Sequence, residues 1–180
     1  MRTLRILSVL LAALTSVSCG TVVHTQQPTD NPPEGPYTSL EYINRFAPVA
    51  VREMKASGVP ASITLAQACL ESGFGNSTLA TRANNHFGIK CHGWTGATYY
   101  YKSDEEVECF RSYASADESY RDHSDFLHRK RYAFLFDLDR DDYKAWAWGL
   151  QEAGYATSPT YASHLIRLIE EYDLARYDNP

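Results

Sequence analysis

The most informative stretch of the chain is Ile63 to Gly75, which reads ITLAQACLESGFG. Nearly all of its residues are apolar or small. Its polar members Thr64, Gln67 and Glu71 recur at steps of three and four, which places them on one narrow stripe of an α-helix. A helix that is apolar on its other faces is typically buried. The pattern therefore predicts a buried helix whose polar stripe ends in a carboxylate, close to the turn that stops the helix.

Five further helices are predicted by apolar residues at helical spacing combined with start or stop signals. They run from Thr38 to Gly58, from Ser77 to Ala83, from Ser115 through Leu127, from about Asp141 to Ala153, and from Ser158 onward. Thr38 with Glu41 and Ser115 with Glu118 have the spacing of a capping box. Pro60 and Pro159 are each expected in the first turn of the helix that follows.

Between residues 84 and 113 the pattern changes from helical to β-prone. The β-prone segments are Phe87 to Ile89, Ala97 to Tyr101, and Val107 to Tyr113, with bends at Gly93, at Gly96 and at the acidic run Asp104-Glu105-Glu106. We therefore expect an α+β fold, mainly α, in which a small antiparallel β hairpin lobe is inserted between helices.

The first 37 residues are expected to lie outside this domain. Arg2 and Arg5 precede a short apolar run, so residues 1–19 are predicted to be an export signal. Cys19 directly after that run predicts a lipidated cysteine, although Ser16 departs from the usual aliphatic residue and an ordinary signal peptide is the alternative. Residues 20–37 are predicted to be a polar, proline-rich tether, and residues 38–176 the folded domain.

The composition of the chain indicates which partners and which cellular compartment to expect. A chain of 180 residues with 44% apolar residues has the core of one ordinary domain, which we expect to be monomeric, and a net charge of −5 disfavours nucleic acid as a partner. An exported protein would reside in the cell envelope or be secreted, where cysteines can be oxidised. Cys91 and Cys109 lie on segments that a long hairpin could bring opposite one another, so we expect them to form a disulfide, and Cys69 to be a core residue.

Carboxylates are the leading candidates for chemistry. A half-buried Glu71 would have a raised pKa and could act as a general acid, but a glutamate in a last helical turn can also be an ordinary solvent-facing residue. Asp104, Glu105, Glu106 or Glu108 could face it across a cleft, although acidic hairpin tips are usually solvated loops. The six histidines have no recognised metal-binding spacing.

Aromatic and sulfur side chains give weaker signals. Phe74, Trp94 and the tyrosines from Tyr99 to Tyr101 could stack on sugar rings, but each is also a reasonable core or strand residue. Cys69 could be a nucleophile with His86 or His123 as its base, but apolar surroundings would raise the pKa of its thiol.

Four segments in order carry a family resemblance: LAQACLESGFGNSTLA, NNHFGIK, CFRSYAS and AGYATSPTYASHL. Together they closely resemble the glucosaminidase domain of glycoside hydrolase family 73, peptidoglycan hydrolases related to the flagellar rod muramidase and bacterial autolysins. The resemblance implies a lysozyme-like helical fold and an endo-β-N-acetylglucosaminidase. Such an enzyme cuts the β-1,4 bond between N-acetylglucosamine and N-acetylmuramic acid in peptidoglycan glycan strands, without metal or organic cofactor.

The resemblance also implies roles for individual residues. Glu71 matches the general acid, Tyr155 the cleft tyrosine beside it, and Glu105 the second carboxylate. Glu106 and Asp104 are alternatives to Glu105, because the hairpin loop is shorter here than in the flagellar relatives. The residues expected to shape the cleft or bind substrate are Gln67, Phe74, Asn85, Phe87, Gly88, Trp94, Tyr99 and Tyr161. Two rival functions remain open, a non-catalytic wall-binding lipoprotein and a cysteine peptidase of wall peptides that uses Cys69. A lipid on Cys19 would add the membrane as a partner.

Overall fold

A computed structural model describes residues 35–102 and 106–180. The predicted export signal, Cys19, most of the tether, and the hairpin residues Asp104 and Glu105 lie outside these ranges. The helices are α1 (Ser39–Ser57), α2 (Ala61–Ser72), α3 (Thr78–Ala83), α4 (Ala116–Leu127), α5 (Tyr143–Glu152) and α6 (Tyr161–Glu171). The strands are β1 (Thr98–Lys102) and β2 (Val107–Arg111), and two 3₁₀ helices cover Lys130–Asp137 and Leu174–Tyr177. The mainly helical α+β fold predicted from the sequence is confirmed.

Helix α2 lies at the centre of the domain, in contact with α1, α5, α6 and the last 3₁₀ helix. Every residue from Ala61 to Cys69 is buried, as the apolar pattern predicts. Fully burying a side chain such as Ile63 or Leu65 contributes roughly 1.5–3 kcal/mol, so packing supplies most of the stability of this helix. Pro60 is the N-cap rather than a first-turn residue, and Gly73 ends the helix in the left-handed conformation with φ 56°.

Helix α1 begins as the capping box predicts. The Thr38 hydroxyl accepts a hydrogen bond from the Glu41 N–H at 3.3 Å, and the Glu41 carboxylate accepts one from the Thr38 N–H at 2.8 Å. The helix ends at Gly58, again as predicted. It buries Tyr42 and Phe46 against α2 and α4, which fixes one wall of the core.

The β lobe is a two-stranded antiparallel hairpin in which Tyr100 pairs with Cys109. The Cys91 and Cys109 sulfurs are bonded, which links the base of the hairpin to the segment before it. The predicted strand at Phe87 to Ile89 is wrong, since only Lys90 forms an isolated bridge, to Phe110.

The side chain of Asn85 explains that error. Its Oδ1 accepts hydrogen bonds from the Phe87 and Ile89 N–H groups, and its Nδ2 donates to the Ile89 and Arg111 carbonyls. These bonds satisfy backbone groups that a strand would have offered to a partner. The segment is therefore a turn organised by one buried amide.

The last two major helices begin later than expected. Helix α5 starts at Tyr143 with Asp142 as its N-cap, and α6 starts at Tyr161 rather than at Pro159. The Ser158 hydroxyl accepts from the Thr160 N–H, so residues 158–160 form a local turn in place of a first helical turn. Within the described residues, no helix combines the length and the apolar character needed to cross a membrane.

Candidate active site

Glu71 lies in the last turn of α2, where the buried helix reaches the surface. Its side chain is half-buried, and burial is the main reason why the pKa of its carboxyl group is raised. The Tyr161 hydroxyl lowers the pKa of Glu71, because a hydrogen-bond donor near the carboxyl group stabilises its ionised form. Glu71 thus combines access to solvent with an environment that favours its protonated form.

One helical turn before Glu71, the Gln67 side chain is completely buried and links three helices. Its Nε2 donates a hydrogen bond to the Tyr161 hydroxyl of α6 at 2.9 Å. Its Oε1 pairs with Nε2 of His123 of α4 at 3.0 Å. The polar stripe predicted on α2 therefore faces the protein interior at Gln67 and reaches the surface only at Glu71.

Aromatic rings surround this polar chain. Tyr155 stacks on Tyr161 with ring centroids 5.6 Å apart and an interplanar angle of 19°. Phe87 stacks on His123 at 4.0 Å, and Tyr155 meets the edge of His123 at 6.1 Å. Burial first, and then the nearby charge of Glu71, raise the pKa of the Tyr155 hydroxyl far above its ordinary value. Tyr155 therefore stays neutral and can only donate or accept hydrogen bonds.

These features together suit general acid catalysis. A carboxyl group whose pKa is raised holds its proton closer to neutral pH, and the neutral tyrosines beside it add no competing charge. Within residues 35–102 and 106–180, no cluster of histidine, cysteine, aspartate and glutamate side chains has the arrangement needed to hold a metal ion.

Sequence comparison decides the family. Residues 47–174 match the model of the glucosaminidase family, whose description is mannosyl-glycoprotein endo-beta-N-acetylglucosaminidase. The chain belongs to the glucosaminidase family. The exo-glucosaminidase LytG of Bacillus subtilis is 39% identical over 131 residues, which cover 65% of this chain and 45% of LytG. The peptidoglycan hydrolase FlgJ of Vibrio parahaemolyticus is 32% identical over 145 residues, which cover 73% of this chain and 47% of FlgJ.

Solved structures of other members have the same fold. A peptidoglycan hydrolase from Sphingomonas sp. A1 superposes with a TM-score of 0.67 at 33% identity, covering 78% of this chain and 92% of that one. The glycoside hydrolase domain of Salmonella typhimurium FlgJ superposes with a TM-score of 0.66 at 31% identity, covering 76% and 89%. This chain therefore spans nearly all of these domains but less than half of the curated relatives named above.

The expected substrate contacts divide into buried and accessible residues. The side chains of Gln67, Asn85, Phe87 and Tyr161 are at most 3% exposed, so they pack beneath the surface of the site. Their role in substrate binding stays a prediction. The half-buried candidates are Phe74, Gly88, Trp94 and Tyr99, and these keep an accessible surface.

The hairpin side of the site is only partly described. Trp94 donates its Nε1–H to the Ala97 carbonyl at 2.9 Å, and the Arg111 guanidinium lies 4.7 Å above its ring. Among the candidates for a second carboxylate, Glu108 forms an ion pair with Lys90. Glu106 is exposed, and Asp104 and Glu105 lie outside the described residues.

Cys69 is a core residue. Its side chain is 1% exposed, and burial raises the pKa of its thiol to about 12. A thiol in this state is neither accessible nor ionised at neutral pH, which argues against a cysteine nucleophile.

His123 belongs to this site, although the sequence indicated it only as a possible metal ligand or base for Cys69. It lies three residues after Tyr120 and four before Leu127, which places it on the same face of α4 as these two large side chains. This spacing is a signal in the sequence that His123 faces the core.

A separate cavity of about 580 Å³ lies elsewhere, lined in part by Tyr37, Phe46 and His86. Glu71, Gln67, His123, Tyr155 and Tyr161 are not among the residues that line it. The chemistry of the carboxylate, and not the size of this cavity, therefore locates the candidate active site.

Proposed function

We propose that this protein is a peptidoglycan hydrolase, an endo-β-N-acetylglucosaminidase in which Glu71 is the general acid. The observation that carries the proposal is a half-buried carboxyl group with a raised pKa at the end of the buried helix of a glucosaminidase-family domain. The names of the relatives, an exo-glucosaminidase and a peptidoglycan hydrolase, support the same class of reaction.

The proposed reaction cleaves the β-1,4 bond between N-acetylglucosamine and N-acetylmuramic acid. Glu71 transfers its proton to the glycosidic oxygen while the bond from the anomeric carbon to that oxygen breaks. The leaving sugar departs with a new hydroxyl group, and an oxocarbenium-like centre develops on the remaining sugar. Water then supplies the oxygen that bonds to the anomeric carbon, and its proton passes to a base.

Glu105 is our candidate for that base or for the electrostatic partner of the developing positive charge. Asp104 and Glu106 are the alternatives, and attack by the N-acetyl group of the substrate is the third route. The distance between the two carboxyl groups distinguishes these mechanisms. A distance of about 5 Å favours a carboxylate that acts as nucleophile, and about 6.5–9.5 Å favours attack by an intervening water. A hairpin that carries one carboxylate could also close on the substrate.

Cleavage inside the glycan strand can be distinguished by experiment from cleavage at the end of the strand. An endo-enzyme releases long glycan fragments early in a digest, whereas an exo-enzyme, as the name of LytG states for that relative, releases terminal units first. We expect a broad distribution of fragment lengths from purified peptidoglycan.

The decisive test is Glu71→Gln. The amide cannot supply the proton, so hydrolysis of purified peptidoglycan should fall by about 10²–10⁴-fold while the fold is retained. New reducing ends, identified by mass spectrometry of the released sugars, measure the reaction and the bond together. We expect N-acetylglucosamine at those ends.

Glu152→Gln is the matched control, because Glu152 is an exposed glutamate near the end of α5. It should hydrolyse peptidoglycan like the unmodified chain. Near-normal hydrolysis by Glu71→Gln would remove Glu71 from the reaction. A folded wild-type chain that binds peptidoglycan without releasing sugar ends would instead favour the wall-binding lipoprotein.

We also propose that the protein is exported and acts in the cell envelope, with Cys19 as the lipid-bearing residue. The sequence of residues 1–19 supports this, and these residues lie outside the described part of the chain. Mass spectrometry of the mature N-terminus should find a diacylated cysteine; an unmodified residue at a different cleavage site would indicate an ordinary signal peptide.

A further inference from the structure

Two hydrogen bonds connect α4, α2 and α6 in the core, one helical turn before Glu71. His123 Nε2 pairs with Gln67 Oε1 at 3.0 Å, and Gln67 Nε2 donates to the Tyr161 hydroxyl at 2.9 Å. Glu71 lies one helical turn after Gln67 on α2, and the Tyr161 hydroxyl lowers the pKa of its carboxyl group, as a hydrogen-bond donor does. Residues from α2, α4 and α6 thus form a path that leads to the proposed general acid.

The direction of each bond follows from the donors available. Gln67 Oε1 can only accept, so the bond at His123 requires hydrogen on Nε2 of the ring. Since Gln67 Nε2 donates to the Tyr161 oxygen, the single hydroxyl hydrogen of Tyr161 remains free for Glu71. If the Gln67 amide were reversed, its Oε1 would take that hydrogen, and the Glu71 carboxylate would lose this donor.

The surroundings of His123 leave its ring one function, which is to donate a hydrogen bond to Gln67. Its ring is 0% exposed, stacks on Phe87 at 4.0 Å, and has no hydrogen-bond partner at Nδ1 among the described residues. Burial lowers the pKa of His123 to about 3, so the ring stays neutral across the pH range in which a glycosidase works. A neutral, fully buried ring neither reaches substrate nor exchanges protons with it.

We propose that His123 is a positioning residue for hydrolysis. Its Nε2–H fixes the orientation of the Gln67 amide, and the amide in turn directs the Tyr161 hydroxyl hydrogen to Glu71. One Glu71 oxygen is then held by Tyr161, and the other is left to protonate the substrate. The proposal rests on the proposed function, because it requires Glu71 to be the general acid.

Two substitutions separate the hydrogen bond from the packing. His123→Phe keeps a ring that can stack on Phe87 but has no donor, so the Gln67 amide becomes free to reverse. His123→Gln places an amide N–H at nearly the reach of the imidazole Nε2–H. We expect His123→Phe to lower kcat by about 10–100-fold with little change in KM, and His123→Gln to restore most of it.

The pH profile gives a readout that a purely structural role would not affect. Activity falls with rising pH as the general acid ionises, so the basic limb of kcat reports the pKa of Glu71. Loss of the Tyr161 donor destabilises the ionised carboxylate, so His123→Phe should move that limb to higher pH. The described titratable groups that face Glu71 are the Tyr155 and Tyr161 hydroxyls, and both have a raised pKa.

Leu127→Ala is the control for lost stability, because Leu127 is 0% exposed one turn after His123 on the same helix. It should lower the denaturation midpoint without moving the basic limb. An unchanged limb in His123→Phe, or equal losses of kcat in His123→Phe and His123→Gln, would overturn the proposal. If the wild-type chain released no sugar ends, the proposed function itself would fail instead.

The imidazole can also be tested in the unmodified protein, whether or not the variants fold. Nitrogen-15 NMR distinguishes the two neutral tautomers of histidine. We expect His123 to carry its hydrogen on Nε2 and to remain neutral down to about pH 4. A hydrogen on Nδ1 would mean that Gln67 donates to the ring, which reverses the chain and refutes the proposal.

Discussion

At the scale of single residues, the decisive feature is the environment of one carboxyl group. Glu71 lies two residues after Cys69, which ends the buried run of α2, and it interacts electrostatically with the Tyr155 and Tyr161 hydroxyl groups. The sequence alone allowed either a general acid or an ordinary surface glutamate. Burial is the largest influence on the pKa of this group and raises it, which favours the first alternative.

The raised pKa of Glu71 predicts a pH-dependent stability. A carboxyl group whose folded pKa lies above its unfolded value contributes stability at low pH, and this contribution is lost as the pH rises through the folded pKa. Glu71→Gln should therefore become progressively more stable than the wild-type chain as the pH rises above about 4.3. Urea denaturation midpoints of both proteins from about pH 3 to about pH 8 measure the difference.

In that comparison the other titrating groups largely cancel, because the two chains share them. Glu152→Gln serves again as the control and should show no such divergence. Parallel stability curves for Glu71→Gln and the wild-type chain would mean that the Glu71 carboxyl group is not perturbed in the folded protein.

At the scale of elements, the hairpin contrasts with the helices. Helix α2 is buried along all but its last turn, whereas the hairpin leaves Tyr100 and Val107 more than half exposed, at 67% and 62%. An isolated two-stranded hairpin is only marginally stable in water. The Cys91–Cys109 disulfide and the bridge at Lys90 therefore hold β2 to the rest of the domain.

Removing the disulfide should lower the free energy of unfolding by about 3 kcal/mol, as the chain-entropy estimate gives for a loop of this length. The variant to test is Cys91→Ala with Cys109→Ala, compared with the wild-type chain by urea denaturation with and without a thiol reductant. The double variant should not respond to reductant.

The third cysteine provides the control. Cys69→Ser keeps the Cys91–Cys109 bond, so its denaturation midpoint should still fall when reductant is added, in contrast to that of the double variant. A double variant as stable as the oxidised wild-type chain would show that the disulfide does not limit the stability of the domain.

At the scale of the whole molecule, a C-terminal residue caps the start of the central helix α2. Pro60 offers no side-chain cap to α2, and the Asp178 carboxylate accepts the Ser62 N–H at 2.8 Å instead. The two residues are 116 positions apart, and Asp178 is 2% exposed. The last 3₁₀ helix places this carboxylate, so the C-terminal residues belong to the fold.

Asp178→Ala should therefore destabilise the protein by about 1 kcal/mol, the usual effect of losing a helix cap. Asp178→Asn keeps an acceptor oxygen and removes the buried charge, so it should be at least as stable as the wild-type chain at neutral pH. Thermal denaturation of the three proteins measures both effects. Equal losses in the two variants would show that the charge itself, and not the cap, stabilises the start of α2.

The sequence by itself determined the elements whose signals are local. The apolar run around Gln67 defined a buried helix, and the spacing of Thr38 and Glu41 defined a helix start, because neighbouring residues suffice to specify both. Local signals failed at Phe87 to Ile89, where the buried Asn85 amide takes the backbone hydrogen bonds that a strand would have used.

Only the tertiary structure decided how the candidate site is assembled. Gln67 is 56 residues from His123 and 94 from Tyr161, and no periodicity along the chain relates positions so far apart. Their hydrogen bonds form only after three helices have packed, since a buried amide needs partners that its own helix cannot supply. Local apolar spacing thus placed Glu71 at the end of a buried helix, and long-range packing gave that carboxyl group its neighbours.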